Sequence, residues 1–298
     1  MNINELNQKF AIPGHIEFVK SRGALPTAII RNKFAASEIS LYGAHVLKYQ
    51  PKDQKDILWM SENSLFEEGK PIRGGIPICF PWFGPHATDS TKPQHGFARL
   101  LTWDVLGASA LLNGSTQLRL GLSSTPSTMA LWPFSFQAEI IIEVGSSLEV
   151  ALQYTNTGNE TIFCTDALHS YFNISDVANT KIHGLKGILY YKGFEKVATG
   201  KQIEDDLKIC QEENRRYINH SADCIIEDSG FKRKIHVSKK GSTVTVVWNP
   251  WENAKNISDI LDDGYKTMVC VEAVNTYIDI ATVTPGENFR VSTKIWAE

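Results

Sequence analysis

Several common chemistries are missing from this sequence of 298 residues. Its five cysteines, Cys79, Cys164, Cys210, Cys224 and Cys270, are odd in number, widely spaced and never in C-x-x-C. That spacing excludes a disulfide framework or a zinc ribbon and implies reduced thiols. None of the eight histidines takes an H-x-x-x-H spacing, so no metal site is expected. G-x-x-x-x-G-K-[ST], G-x-G-x-x-G and G-x-S-x-G are all absent, which removes the usual phosphate loop, the dinucleotide fingerprint and the serine-hydrolase elbow. Nowhere do 18 apolar residues run together, and the N-terminus has polar and acidic residues where a signal peptide needs an apolar run; a membrane span and export are not expected. Lys plus Arg (30) nearly balance Asp plus Glu (33) for a net charge of -3, so there is no basic footprint for nucleic acid or an anionic membrane. With no internal repeat, low-complexity tract or linker, the chain reads as one domain, 1–298, a cytoplasmic monomer.

What the sequence does hold is β pattern. Residues 117–123 alternate Leu118, Leu120 and Leu122 against Gln117, Arg119 and Gly121, the period of a half-buried strand. Residues 136–144 and 148–155, separated by Gly145-Ser146-Ser147, read as a hairpin, with 156–160 as the turn into a strand through Thr165. A second hairpin is expected from 234–237 and 243–248 around the turn 239–242. Further strands are expected at 16–30, 38–49, 56–60, 268–274 and 289–296, the first two interrupted by Arg22-Gly23 and 42–45. Helical spacing is short: Ile3, Leu6 and Phe10 mark one helix packed outside, and 125–131 another that Pro133 stops. The cluster of charges at 201–216 reads as a solvated insertion. The fold class is mainly β, a large sandwich or barrel.

Three segments carry candidate chemistry. Residues 73–99 run R-G-G-I-P-I-C-F-P-W-F-G-P and, after eight residues, Q-H-G-F-A-R. Set among glycines, prolines and aromatics, Arg73, Gln94, His95 and Arg99 suit either a rigid wall presenting polar groups to a small ligand or a loop that buries its aromatics and solvates its arginines. His169 follows a strand end, where it either transfers protons into a concave sheet or is structural. Glu272 interrupts an otherwise buried strand; a lone buried carboxylate is costly, so an arginine partner or a function is implied. Trp248, in W-N-P, has the surface to stack on a sugar or to pack in the core.

Together, the 73–85 and 94–99 segments, A-L-H-S-Y-F-N at 167–173, W-N-P at 248–250 and D-D-G-Y-K-T-M-V-C-V-E at 262–272 closely resemble the glucose-6-phosphate 1-epimerases of the aldose 1-epimerase superfamily, in the same order and over most of the chain. The resemblance implies a β-sandwich of the galactose-mutarotase type with its site on a concave face. It implies His169 and Glu272 as a catalytic pair, Arg73, Gln94 and Arg99 as substrate contacts with His95 beside them, a hexose 6-phosphate as substrate, and no cofactor. Where the family commonly has an acidic residue before a lysine, this chain has Tyr191 before Lys192, which bears on the preferred sugar.

The chemistry is consistent with the residues. Anomer exchange needs a base at the C1 hydroxyl and an acid at the ring oxygen, here Glu272 and His169, with Glu272 raised in pKa and His169 protonated when substrate binds. Arginine forks match phosphate oxygens. A mutarotase for neutral aldoses and a non-catalytic sugar-phosphate binder are the competing expectations. A glycoside hydrolase fits less well, since it wants two carboxylates.

Overall fold

The computed structural model describes residues 2–195, 197, 199–276 and 279–298. Alternating apolar residues build two eight-stranded sheets whose ladders are antiparallel. One sheet runs from Thr180–His183 through Cys224–Asp228, Arg233–Lys240, Asn288–Ala297, Leu148–Asn156, Phe136–Val144 and Thr116–Ser123 to Asp104–Ala110. The other runs from Gly200–Lys201 through Leu189–Lys192, Glu213–Tyr217, Val244–Asn249, Met268–Asn275 and Asp166–Leu168 to Ile78–Cys79, with Tyr171–Asn173 also paired to Met268–Asn275. A four-stranded sheet, Ile16–Lys20, Pro26–Arg31, Ala35–Ser40 and His45–Pro51, joins the same core. The result is the mainly β sandwich that the strand pattern predicts.

Local signals are met closely. The hairpin Phe136–Val144 and Leu148–Asn156 pairs without a slip. The helix Ile3–Phe10 is capped by the Asn2 side chain and buries Leu6, and Asn7 docks it by exchanging two hydrogen bonds with the Phe18 backbone, 2.7 and 2.8 Å. Pro126–Leu131 is a helix with a Thr125–Thr128 capping box.

Three expectations are corrected. Residues 234–248 do not form a hairpin: Arg233–Lys240 pairs with Cys224–Asp228 and Asn288–Ala297, whereas Val244–Asn249 pairs with Glu213–Tyr217 and Met268–Asn275. The chain changes sheets at Gly241, which has φ 73° and where a Cβ would lie 2.0 Å from the Arg290 carbonyl oxygen, so the crossing needs glycine. Residues 56–60 bury Ile57, Leu58 and Trp59 but form only isolated bridges, Leu58 to Phe172 and Met60 to Gly74. Finally, 201–216 is not simply a solvated insertion. Its end, Glu213–Tyr217, is an interior strand, and its charges are paired internally, Arg215 Nε to Glu213 Oε2 at 2.6 Å.

The strand Met268–Asn275 is buried at all eight positions. Val269, Val271 and Ala273 enter the core between the sheets; Met268, Cys270 and Val274 pack on the opposite face. A strand covered on both faces reads as a continuous apolar run, which is why Glu272 stands out in it.

Behind this strand lies a buried carboxylate, Asp166. It accepts hydrogen bonds from Tyr154 Oη at 2.8 Å and Asn275 Nδ2 at 2.9 Å, tying both sheets together. Burial outweighs those bonds and pushes its pKa up to about 7. The unfolded chain would release this proton near pH 4, so the folded state binds more protons between about pH 4 and 7 and loses stability as pH rises through that window, by an amount on the order of 4 kcal/mol. Asp166→Asn removes the titration. Melting temperatures should therefore shift in the variant's favour between pH 5 and pH 8; a parallel pH dependence for both proteins would refute the assignment.

Candidate active site

Tight backbone packing builds the wall of the site. Gly74 (φ 108°) and Gly75 (φ 61°) let the chain approach where a Cβ would meet the Trp59 and Val46 carbonyl oxygens at 2.5 and 2.2 Å. Fully buried His45 donates from Nε2 to the Gly74 carbonyl at 2.7 Å, and burial lowers its pKa to about 4, so it braces the wall as a neutral ring. On the other side of the cavity, His95 adopts φ 63°, a left-handed conformation that strains a non-glycine residue by roughly 1 kcal/mol or more. Two bonds to Gly84 hold it there: the His95 N–H donates to the Gly84 carbonyl (2.7 Å), and the Gly84 N–H donates to His95 Nδ1 (3.1 Å).

His169 and Glu272 meet as cross-strand neighbours. The register that runs from Leu168 opposite Ala273 to Tyr171 opposite Cys270 places His169 opposite Glu272. His169 lies at the break between Asp166–Leu168 and Tyr171–Asn173, its N–H donating to the Pro77 carbonyl at 3.1 Å. Its Nδ1 is 3.4 Å from Glu272 Oε2. That is within ion-pair distance but not aligned as a hydrogen bond, and neither atom has a hydrogen-bond partner among the described residues. The arginine partner considered for Glu272 is not at its carboxylate. The His169 ring stacks on Tyr171, 4.7 Å between centroids and 8° between planes, with Trp248 edge-on at 6.1 Å.

All six residues singled out in the sequence, Arg73, Gln94, His95, Arg99, His169 and Glu272, line one cavity of about 450 Å³. Trp248 lines it too. Tyr191 is not among the lining residues; it lies opposite Arg216, whose guanidinium is 5.7 Å from its ring centroid. Sequence reading missed Asp259 and Asn214, which also line the cavity. Asn214 was hidden inside the charged segment taken as an insertion. Asp259 comes from a turn with no pattern around it, and its Oδ1 accepts from Arg73 Nε at 3.1 Å.

The two arginines differ. Arg73 also donates from Nη1 to Tyr171 Oη at 3.0 Å; although burial opposes its charge, Tyr171 and Asp259 hold its pKa above the usual range. Arg99 donates to the Gln94 carbonyl at 2.8 Å, its Nε has no hydrogen-bond partner among the described residues, and burial lowers its pKa. Burial also drives Glu272 well up. His169 is held well down by burial, then by Arg73 and Arg99. The site as it stands therefore favours an uncharged pair, a protonated Glu272 beside a neutral His169, rather than the charged histidine expected with substrate bound.

Comparison with known proteins follows the same lines. The aldose 1-epimerase family matches residues 27–296. A protein of Salmonella typhimurium named "Putative glucose-6-phosphate 1-epimerase" is 34% identical over 278 residues, covering 90% of this chain and 91% of its own. The crystal structure of a "putative mutarotase" from Salmonella typhimurium superposes with a TM-score of 0.89 at 30% identity, covering 99% and 98% of the two chains. Galactose 1-epimerase from Lactobacillus acidophilus shares the fold, with a TM-score of 0.73 at 14% identity over 95% and 98%. The sandwich is thus of the galactose-mutarotase type.

If Arg99 helps to suppress the His169 charge, Arg99→Gln should raise the His169 pKa in the empty site. An NMR titration of the imidazole resonances checks this, with His95, whose pKa burial and then Arg99 hold well down, shifting in the same direction. An unmoved His169 titration would leave burial and Arg73 as the causes.

Proposed function

The chain belongs to the aldose 1-epimerase family, and from that premise we propose that it is a hexose-6-phosphate mutarotase, exchanging the α and β anomers of glucose 6-phosphate and related aldohexose 6-phosphates. One observation carries the proposal: a desolvated imidazole–carboxylate pair 3.4 Å apart shares its cavity with two arginines. The name of the Salmonella relative supports the phosphate. The proposal takes residues 1–298 as one domain, supported by the core cluster that spans both large sheets, and places the reaction in the cytoplasm.

In the proposed mechanism, Glu272 accepts the proton of the C1 hydroxyl while His169 donates one to the ring oxygen, and the bond from C1 to that oxygen breaks. No cofactor takes part. The open chain then rotates about C1–C2. Glu272 returns its proton to the aldehyde oxygen as His169 removes the proton from the closing hydroxyl, which attacks the other face of C1. The uncharged pair that the empty cavity favours is the state reached when the ring is open. A bound phosphate would neutralise the arginine field that suppresses the His169 charge, favouring the charged pair that starts the cycle. Substrate charge thereby brings the two protonation states closer in energy, as efficient reversal of roles requires. Trp248 offers an apolar face against the sugar.

The test is anomer exchange of glucose 6-phosphate followed by NMR, with spontaneous mutarotation subtracted. Wild type should accelerate exchange, and His169→Ala and Glu272→Gln should each lose about 10²–10⁴-fold while remaining folded. Exchange at the background rate despite binding would leave a sugar-phosphate binder. In the same assay Arg99→Gln should lower kcat/KM for glucose 6-phosphate by roughly 10- to 100-fold, the worth of hydrogen bonds to a charged group, and should not lower the rate on free glucose. Equal wild-type rates on the two sugars would favour the neutral-aldose reading.

A further inference from the structure

Mutarotation uses two groups, yet the structure brings a third to them. Cys270 and Glu272 alternate onto the same face of Met268–Asn275, and Cys270 lies opposite Tyr171, two places from His169. The Cys270 Sγ, an imidazole nitrogen of His169 and a carboxylate oxygen of Glu272 lie within 4.8 Å of one another, and all three residues are buried. The proposed reaction has no step for a thiol. Histidine spacing along the chain could not reveal such a set, because its members sit on two adjacent strands.

We propose that His169, Cys270 and Glu272 form a site for a thiophilic divalent cation, zinc or cadmium, whose occupancy blocks proton transfer. Three observations carry it. First, a tetrahedral zinc ion with Zn–N and Zn–O bonds of about 2.0–2.1 Å holds those atoms about 3.4 Å apart, and His169 Nδ1 and Glu272 Oε2 are 3.4 Å apart. Second, both atoms are buried without hydrogen-bond partners among the described residues, so binding breaks no hydrogen bond at them. Cys270 Sγ, within 4.8 Å of the other two ligand atoms, closes on the ion to become the third ligand. Third, His169 and Glu272 line the cavity, which gives an entry path and a fourth position for water, the pattern of zinc sites with three protein ligands. Binding displaces the thiol and carboxyl protons. The thiolate and carboxylate then balance the dication, so the nearby arginines do not exclude it. Magnesium and calcium, which want oxygen ligands, should not compete.

The block on turnover rests on the mutarotase reading; the metal site does not. The experiment uses metal-free, tag-free full-length protein. Titration with zinc chloride in a calorimeter should show one saturable site, with protons released to buffer, and cobalt(II) should give a thiolate-to-metal charge-transfer band. Cys270→Ser and Cys270→Ala, checked for folding by circular dichroism, should lose the band and weaken zinc binding at least 30-fold while keeping wild-type anomer exchange. Zinc should slow exchange in the wild type and not in these variants, with magnesium inert in both. Absence of saturable zinc binding, or binding and a cobalt spectrum unchanged by loss of Cys270, would overturn the site. Zinc bound through Cys270 with exchange unaffected would overturn the block. A thiolate band in a protein that does not exchange anomers would uphold the site and sink the mutarotase reading, so the two failures are distinct.

Discussion

The desolvation of Glu272 is the constraint on which the site depends. Its side chain is 1% exposed in a strand covered on both faces, where an isolated charge is far less stable than in water. A flexible segment would relax by turning the group to solvent. Here the strand cannot turn, because Val244–Asn249 is laddered along one side and the two segments flanking His169 along the other. The side chain stays buried and its proton affinity rises instead. His169 is held with similar rigidity, between the Pro77 carbonyl behind it and the Tyr171 ring beneath. The sandwich brings two groups with displaced proton affinities together in the cavity before any substrate arrives.

The wall from Arg73 to Arg99 serves the same end by packing. Gly74, Gly75 and Gly96 sit where a side chain would collide with neighbouring carbonyls, and Gly84 where it would meet the Phe194 ring, so this irregular segment packs closely against its surroundings. The strained His95 backbone belongs to this arrangement. The two bonds with Gly84 hold the imidazole at the cavity, 5.6 Å from the His169 ring. Strain held by surrounding structure at a candidate site is a common signature of preorganisation.

Legibility in the sequence followed the range of the interactions. Strands, the long hairpin and both helices were visible because period and capping are local. All six candidate site residues were visible because each broke the composition around it: a carboxylate in an apolar strand, arginines among glycines and aromatics. Partnership was not visible. Nothing along the chain says that Val244–Asn249 leaves the sheet of Arg233–Lys240, since both sheets accept the same alternation and the change is decided by the packing of Gly241 against Arg290. The same blindness hid Asn214, whose strand is interior only because its charges find each other, and Asp259, whose importance lies in a partner 186 positions away. The His169–Glu272 pairing is a fact of register, and register between distant strands is fixed only when the sheet forms.

Asp259 also changes what the arginines can be taken to contribute. Arg73 already carries a carboxylate on Nε and a phenol on Nη1, so in the proposed function a phosphate meets a charge that is largely balanced and a fork that is already oriented. Arg99 offers the opposite: a part-buried guanidinium without a carboxylate on it among the described residues, which a dianion would satisfy more fully. Removing Arg73 alone would leave Asp259 facing the phosphate, and the measured loss would combine a missing contact with a new repulsion. Only the cycle of Arg73→Gln, Asp259→Asn and their combination separates the two. If the double variant recovers affinity relative to Arg73→Gln, the arginine acts chiefly by masking Asp259 and Arg99 carries most of the selectivity for phosphate.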